Sequence, residues 1–294
     1  LNIHKKEYAK DLLEEIGVDS GKLPELVDYN ETFPLTEDGA KLLGVTPGTP
    51  VLLSNPDGAM NQTGSGGLKS GVMTVSVGTS SALRMSVANA VLPEEPHTWC
   101  YLSPKGYLAG AAISGGCSSI EWFREKIAQN APYEQLECRE DVDTPVFLPF
   151  LYGERCPGEN EERSGGFYGL KPYHDRRSMY QAVQEGVLFN LRQGYEELCR
   201  ICGEPQGIRL SGGILHSPEW SQMCADIFER EISIEENPQC SLQGGVVLAM
   251  DVLGCCPAEA FEAETKGIIV PLAEHTGHYR EKYQRYLEIY RSAQ

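Results

Sequence analysis

The chain has 294 residues, which is enough for one large domain or two smaller ones with a full hydrophobic core. It carries 25 Lys and Arg against 42 Asp and Glu, and the formal net charge of −17 at pH 7 excludes a broad surface for nucleic acid or anionic membrane. Since no apolar run approaches ~18 residues, no membrane partner is expected either.

The first quarter of the chain is predicted to consist of short elements. Helical spacing of apolar residues predicts a helix over 5–16, and a short apolar run predicts a strand over 51–53. Thr36 as a capping residue and Gly44 as a stop predict a second helix over 38–43. Because Pro56 disfavours helix at the residue before it, we expect Asp57 just past this strand on a sharp corner, where α/β proteins place their chemistry. Taken alone, Asp57 is also explained as a turn-forming residue.

A second turn follows the next strand. The β-branched residues over 72–77 predict a strand that breaks into Gly78, Thr79 and Ser80, whose backbone N–H groups and hydroxyls could hold an anion. A carboxylate at one strand end and an anion-binding turn at the next indicate phosphoryl transfer. The elements predicted after this turn are a strand over 81–87, a hairpin of 99–102 and 107–111, and a helix over 120–130.

The second half of the chain alternates between strands and helices. An apolar strand over 145–150 leads into a charged, glycine-rich loop over 153–166, and loops of that length are usually functional or disordered. The elements predicted after the loop are helix 178–202, strand 208–210, helix 218–230, strand 232–235, helix 242–253 and helix 278–291. This alternation predicts an α/β layer with a largely parallel component.

Gly212 and Gly213 form another junction between a strand and a helix. Paired glycines let a backbone approach a ligand closely, and the helix that begins near Pro218 directs its N-terminal N–H groups toward the same place. Alone the signal is weak, because such glycines more often serve turn geometry. Beside the turn at 78–80 it indicates a split nucleotide cleft.

The ten cysteines do not predict a disulfide framework or a metal site. Cys199 and Cys202 form the one C-x-x-C pair, and no second pair or histidine pair follows at zinc-ligand spacing. We therefore expect reduced thiols in a cytoplasmic protein and no metal-ligating side chains.

Several motifs together resemble the FGGY family of carbohydrate kinases. They are Asn55-Pro-Asp57-Gly58, Val77-Gly-Thr-Ser80, Phe147 to Pro157, Gly166-Phe-Tyr-Gly169-Leu170, Ala182 to Asn190 and Leu210-Ser-Gly-Gly213. The resemblance implies the actin-like, ribonuclease-H-like ATPase fold, in which two domains close on ATP and a sugar. It also implies that residues 1–70 end the first domain, with the catalytic Asp turn, and that residues 71–294 form the C-terminal nucleotide-binding domain.

Site residues follow from the same resemblance, position by position. Asp57 matches the general base that takes the proton from the sugar hydroxyl. The residues implied for ATP are Gly78, Thr79 and Ser80 in a phosphate loop, Gly212 and Gly213 in an adenosine loop, and Ser217 near the adenine. The residues assigned to the substrate are Asn55, Gly58 and Arg155, and Mg²⁺ would bridge the ATP oxygens largely through waters.

The family's first phosphate loop and the sugar contacts of its first domain do not occur in this sequence. We therefore expect a missing N-terminal domain as a partner and an inactive chain in its absence. Asp57-Gly58 and Trp99 to Tyr101 favour a gluconate-type substrate, with xylulose or another pentulose next, although Ser114 to Gly116 depart from the expected Asn residues. A homodimer is left open. The alternatives are a nucleotide-binding or regulatory module without catalysis and, on weaker grounds, a structural fragment.

Several residues also have simpler explanations. Arg155 could pair with Glu154 instead of binding substrate, and Asn61 and Gln62 are expected on a helix surface or lining the site. The tyrosines at 279, 283, 286 and 290 predict a packing face of the last helix, against this domain or the missing one.

Overall fold

A computed structural model of the protein describes residues 1–53, 55–69, 71–136, 143–237 and 239–293. The helices within these ranges are α1 (Lys10–Glu15), α2 (Glu37–Leu43), α3 (Asp57–Gly64), α4 (Cys117–Lys126), α5 (Arg176–Cys202), α6 (Pro218–Phe228), α7 (Cys240–Val252) and α8 (Ala273–Ser292). The strands are β1 (Thr32–Pro34), β2 (Pro50–Leu52), β3 (Val72–Val77), β4 (Ser81–Val87), β5 (Trp99–Ser103), β6 (Gly106–Ile113), β7 (Val146–Leu148), β8 (Gly166–Tyr168), β9 (Gly207–Ser211), β10 (Ile232–Glu235) and β11 (Thr265–Ile269).

The central sheet has the order β11-β10-β9-β3-β4-β6-β5 within the described residues. The pairs β3/β9 and β9/β10 are parallel, and the other neighbours are antiparallel. The two strands of the predicted strand-helix alternation, β9 and β10, do run parallel. The rest of the sheet departs from the predicted largely parallel component, because most of its neighbouring strands are antiparallel. Tight turns join β3 to β4 and β5 to β6, which forces antiparallel pairing, whereas the helical connection through α6 allows β9 and β10 to run parallel.

Alternation along β3 gives the sheet two different faces. Val75 and Val77 lie in the larger core with residues of α5, and both are fully buried. Thr74 points to the opposite face, where its hydroxyl donates to Gln62 of α3 at 2.6 Å. Helices consequently cover both faces, and α3 carries Asp57 on the side opposite α5.

Two glycines hold α3 closely against α7. A Cβ atom on Gly64 would lie 1.9 Å from the carbonyl oxygen of Cys240, and one on Gly244 would lie 2.0 Å from that of Met60. Residues with side chains would force the two helices apart. The segment that begins at Asp57 is thus packed directly on a helix of the predicted second domain, and the predicted boundary at residue 70 falls outside the described ranges.

Other predicted elements agree with the structure only in part. The first helix is shorter than predicted, covering only Lys10–Glu15. Strand β2 pairs with β1 in a separate two-stranded sheet and is largely exposed. The tyrosine face of α8 was predicted correctly as a packing face: Tyr283 and Tyr286 are buried against Phe189 of α5. Nothing in the described part of the chain forms a helix long and apolar enough to cross a membrane.

Candidate functional site

The turn at 78–80 connects β3 to β4 and is tied to the beginning of α4. The Gly78 N–H donates to the carbonyl of Ser80 at 3.0 Å, and the N–H groups of Cys117 and Ser118 donate to the carbonyls of Gly78 and Thr79 at 2.7 and 3.2 Å. Thr79 and Ser80 are exposed. The turn is therefore fixed by its carbonyls, while both hydroxyl side chains face outward.

The predicted adenosine loop lies beside this turn because β3 and β9 are parallel neighbours. Ser76 pairs with Ser211, so the residues that follow each strand emerge side by side. Gly212 has φ of +98°, and a Cβ atom on it would lie 2.5 Å from the Val77 carbonyl oxygen. Gly213 approaches Cys117 equally closely, with its Cβ position 2.8 Å from Sγ. The fold thus brings together the two glycine junctions that the sequence singled out.

A cavity of about 880 Å³ opens at this junction. Its lining includes Thr79, Gly213 and Ser217, and the aromatic side chains of Trp122 and Tyr133 contribute apolar surface. Sites for small molecules and cofactors are commonly ~300–1,000 Å³, with aromatic walls and a few polar groups. The cavity therefore has the size and the mixed aromatic and polar lining of a small-molecule site.

Glu121 is one of the acidic residues of the cavity wall, and a neighbouring arginine neutralises it. Arg124 pairs with Glu121, donating from Nε to Oε2 at 3.0 Å, and the Tyr133 hydroxyl donates to the same carboxylate oxygen at 2.7 Å. These hydrogen bonds, led by those from Arg124, lower the pKa of Glu121 to about 2. Burial raises the pKa of the Cys117 thiol, which lines the same cavity.

Ser217 has a structural role in addition to its place in the cavity wall. Its Oγ accepts a hydrogen bond from the N–H of Trp220 at 3.2 Å and so caps α6, with Pro218 as the first helical residue. The capping geometry fixes the hydroxyl at the beginning of the helix.

Asp57 is the first residue of α3 and is exposed. Its Oδ1 accepts a hydrogen bond from the N–H of Gly58 at 2.7 Å. The predicted corner past a strand end was wrong in detail, because β2 ends at Leu52 and stands apart from the central sheet. A helix begins at Asp57 because Pro56 is extended and the carboxylate suits a helix N-terminus.

Arg84 and Tyr101 flank the Asp57-Gly58 pair. The sequence analysis named Tyr101 only as part of the stretch from Trp99 to Tyr101, and it missed Arg84. A Cβ atom on Gly58 would lie 2.7 Å from the Tyr101 hydroxyl and 3.0 Å from Arg84 Nε. Burial raises the pKa of Tyr101, and the nearby Arg84 lowers it while Asp57 raises it further. The one sequence signal for Arg84 was an arginine between apolar residues in the middle of strand β4.

The remaining predicted site residues lie elsewhere or serve the fold. Arg155 is exposed, and the described lining of the cavity does not include it. Glu154 pairs with Arg163 at 3.2 Å, so Arg155 is not its partner. Gln62 is buried rather than on a helix surface, and its amide donates to the carbonyls of Gly67 and Val72. Asn55 is half-buried just before α3.

Within the described ranges, no group of three or more His, Cys, Asp or Glu side chains is arranged to hold a metal ion. Cys199 and Cys202, the C-x-x-C pair, lie on α5 as free thiols, and burial raises the pKa of each to about 11.

Comparisons with known proteins extend over almost the whole chain. The model of the FGGY family of carbohydrate kinases, C-terminal domain, matches residues 73–251. A gluconokinase of Bacillus subtilis (strain 168) is 29% identical, and the match covers 86% of this chain and 53% of that protein. Of two solved structures from Lactobacillus acidophilus, a ligand-bound xylulose kinase is 26% identical with a TM-score of 0.91, and a gluconate kinase is 27% identical with a TM-score of 0.86.

Each of these structural matches covers 99% of this chain and 62% of the other. The chain thus spans less than two thirds of each of these three relatives. The structural similarity confirms the predicted actin-like α/β fold of the C-terminal part of a two-domain kinase.

Proposed function

We propose that this chain, which belongs to the FGGY family of carbohydrate kinases, forms the nucleotide-binding part of an enzyme that phosphorylates a sugar or sugar acid. The main support for this proposal is the place where two glycine-containing turns meet. The turn at 78–80 and the loop at 212–213 meet at the ends of adjacent parallel strands, beside a cavity of about 880 Å³. The relatives named gluconokinase and xylulose kinase support a polyhydroxylated substrate.

ATP fits the groups that surround this cavity. Thr79 and Ser80 present exposed hydroxyls for the phosphates, and Gly212 and Gly213 let the backbone approach the nucleoside. Trp122 and Tyr133 supply apolar surface for a base, and Ser217 lies at the cavity wall. Mg²⁺ would be held mainly by the ATP phosphates and water, as this ion prefers.

Asp57 is the proposed general base. Its exposed carboxylate would accept the proton of the substrate hydroxyl while that oxygen bonds to the γ-phosphorus of ATP. The bond between the γ-phosphorus and the bridging oxygen breaks, and ADP leaves with the electron pair. Positioning and charge stabilisation supply most of the acceleration in such transfers, so both sides of the cleft matter.

A further domain is proposed for the opposite side of the cleft. The relatives are longer than the matched region, and this chain covers 53–62% of their lengths. We propose that the additional domain supplies other sugar contacts and that the complete enzyme works in the cytoplasm.

The test is to produce the protein from its complete coding sequence and to measure ADP release from ATP with D-gluconate, D-xylulose and glycerol. We expect substrate-dependent ADP formation with gluconate or xylulose. Calorimetry with ATP on the same protein separates the alternative: binding of ATP without turnover of any sugar would favour a non-catalytic module and overturn the kinase proposal.

A further inference from the structure

Arg84 is a residue of strand β4 whose side chain is half-buried. Its Nη1 donates to the hydroxyl of Ser76 at 3.1 Å, and its Nε is buried without a hydrogen-bond partner among the described residues. No acidic side chain in the described part of the chain forms an ion pair with it. A half-buried guanidinium of this kind is costly unless an anion completes it.

The neighbouring strands place this arginine in a corner beside two aromatic side chains. Arg84 and Trp99 are both paired with Gly110 of β6, on its two sides. A Cβ atom on Gly110 would lie 2.3 Å from the Trp99 ring, so the glycine leaves room for that ring beside the strand. Trp99 in turn stacks on Tyr101, with ring centroids 4.5 Å apart and planes 11° apart.

Gly58 places this corner beside the proposed base. The close approach of Tyr101 Oη and Arg84 Nε to its Cβ position leaves no room for a larger residue without moving both side chains. Since consecutive Cα atoms are about 3.8 Å apart, the Arg84 guanidinium lies within about 9 Å of the Asp57 Cα atom. This upper limit on the distance between the guanidinium and Asp57 is comparable with the length of an extended six-carbon chain.

We propose that Arg84 and the Tyr101 hydroxyl bind the carboxylate of a sugar-acid substrate, while a hydroxyl of the same molecule reaches Asp57. An arginine binds a carboxylate through charge-assisted hydrogen bonds, and a phenol donates one more. This inference rests on the proposed kinase function and names the substrate class as an aldonate. Arg84 and Tyr101 therefore determine specificity, and Asp57 performs the chemistry.

The experiment compares substrates of equal length in the complete enzyme at saturating ATP. D-Gluconate carries the carboxylate, and D-glucitol has a CH₂OH group in its place. For Arg84→Gln we expect kcat/KM with gluconate to fall roughly 100-fold, mainly through KM, since a hydrogen-bonded charged group is lost. For Tyr101→Phe, which keeps the ring stacked on Trp99, we expect a loss of roughly tenfold. Neither variant should alter the KM for ATP.

Arg280→Gln is the matched control, because Arg280 is an exposed arginine of α8 that pairs with Glu229. It should leave all constants unchanged. The inference would be overturned if the variants lost kcat/KM equally with gluconate and with a neutral sugar. It would also be overturned by an unchanged KM for gluconate in both Arg84→Gln and Tyr101→Phe. If the wild-type enzyme phosphorylates D-xylulose but not gluconate, the inference fails and the kinase function stands. If it phosphorylates no sugar at all, both fail.

Discussion

The carbonyl oxygen of Val77 lies 2.5 Å from the position that a Cβ atom on Gly212 would occupy. This contact joins the end of β3 to the loop after β9, and with it the turn at 78–80 to the loop at 212–213. Only glycine permits so close an approach, because the neighbour is main chain and cannot rotate away. The shape of the proposed nucleotide site depends on it.

Gly212→Ala should therefore weaken ATP binding and lower stability. Gly203→Ala is the matched control, because the two glycines have similar backbone angles. Gly203 has φ of +83° and ψ of 167°, and Gly212 has φ of +98° and ψ of −168°. The difference is that no atom lies within 4 Å of the Gly203 Cβ position. Both variants should lose about 1–3 kcal/mol through backbone strain. Only Gly212→Ala should lose more than that and reduce ATP affinity, as measured by calorimetry and thermal unfolding. Equal behaviour of the two variants would show that the contact does not matter.

The crossing of α3 and α7 gives a second matched pair within one helix. Gly244→Ala places a methyl group 2.0 Å from the Met60 carbonyl oxygen, whereas no atom lies within 4 Å of the Gly245 Cβ position. We expect Gly244→Ala to cost about 1–3 kcal/mol through overpacking. Gly245→Ala should gain about 0.5–1 kcal/mol from helix propensity. Melting curves of the two variants provide the measurement, and similar shifts in both would contradict the close crossing.

Cys117 reports directly on the occupancy of the cavity. Its Sγ lies 3.6 Å from the Val77 carbonyl oxygen, and the residue lines the cavity. Burial raises the pKa of this thiol, so it is mostly protonated at pH 8 and its alkylation by iodoacetamide should accelerate as the pH rises toward that pKa. ATP should slow the alkylation of Cys117 and leave the exposed Cys255 unaffected. Peptide mass spectrometry would reveal the opposite case, in which ATP gives Cys117 no protection.

Much of the fold could be predicted because its signals are local. Strand β10 was predicted with its observed bounds from a short apolar alternation, and α2 begins after Thr36 and ends at Gly44 as its capping residues indicate. Strand β11 was missed. Its two isoleucines at 268 and 269 are only part of a short, mostly exposed segment, and its pairing with β10 depends on residues far away in the chain.

In the candidate site, too, some residues could be predicted from local sequence patterns and others could not. Gly78 and Gly212 were found because strand-turn junctions leave a sequence pattern, and parallel pairing of β3 with β9 then brings them together. The corner formed by Gly58, Arg84 and Tyr101 was found only in part. Gly58 was assigned to the substrate and Tyr101 lies in the stretch that favoured gluconate, whereas Arg84 was missed. The corner exists because α3 folds back over the sheet and the three residues come from three elements.

Asp57 is proposed to act as the base in phosphoryl transfer. The most direct measurement is steady-state kinetics of Asp57→Asn in the complete enzyme, because this change keeps the shape of the side chain and removes its basicity. We predict that kcat falls roughly 10²–10⁴-fold, the range for loss of a general base. The KM for ATP should stay unchanged, since the nucleotide cavity does not include Asp57. A variant that retains the wild-type kcat would contradict the account.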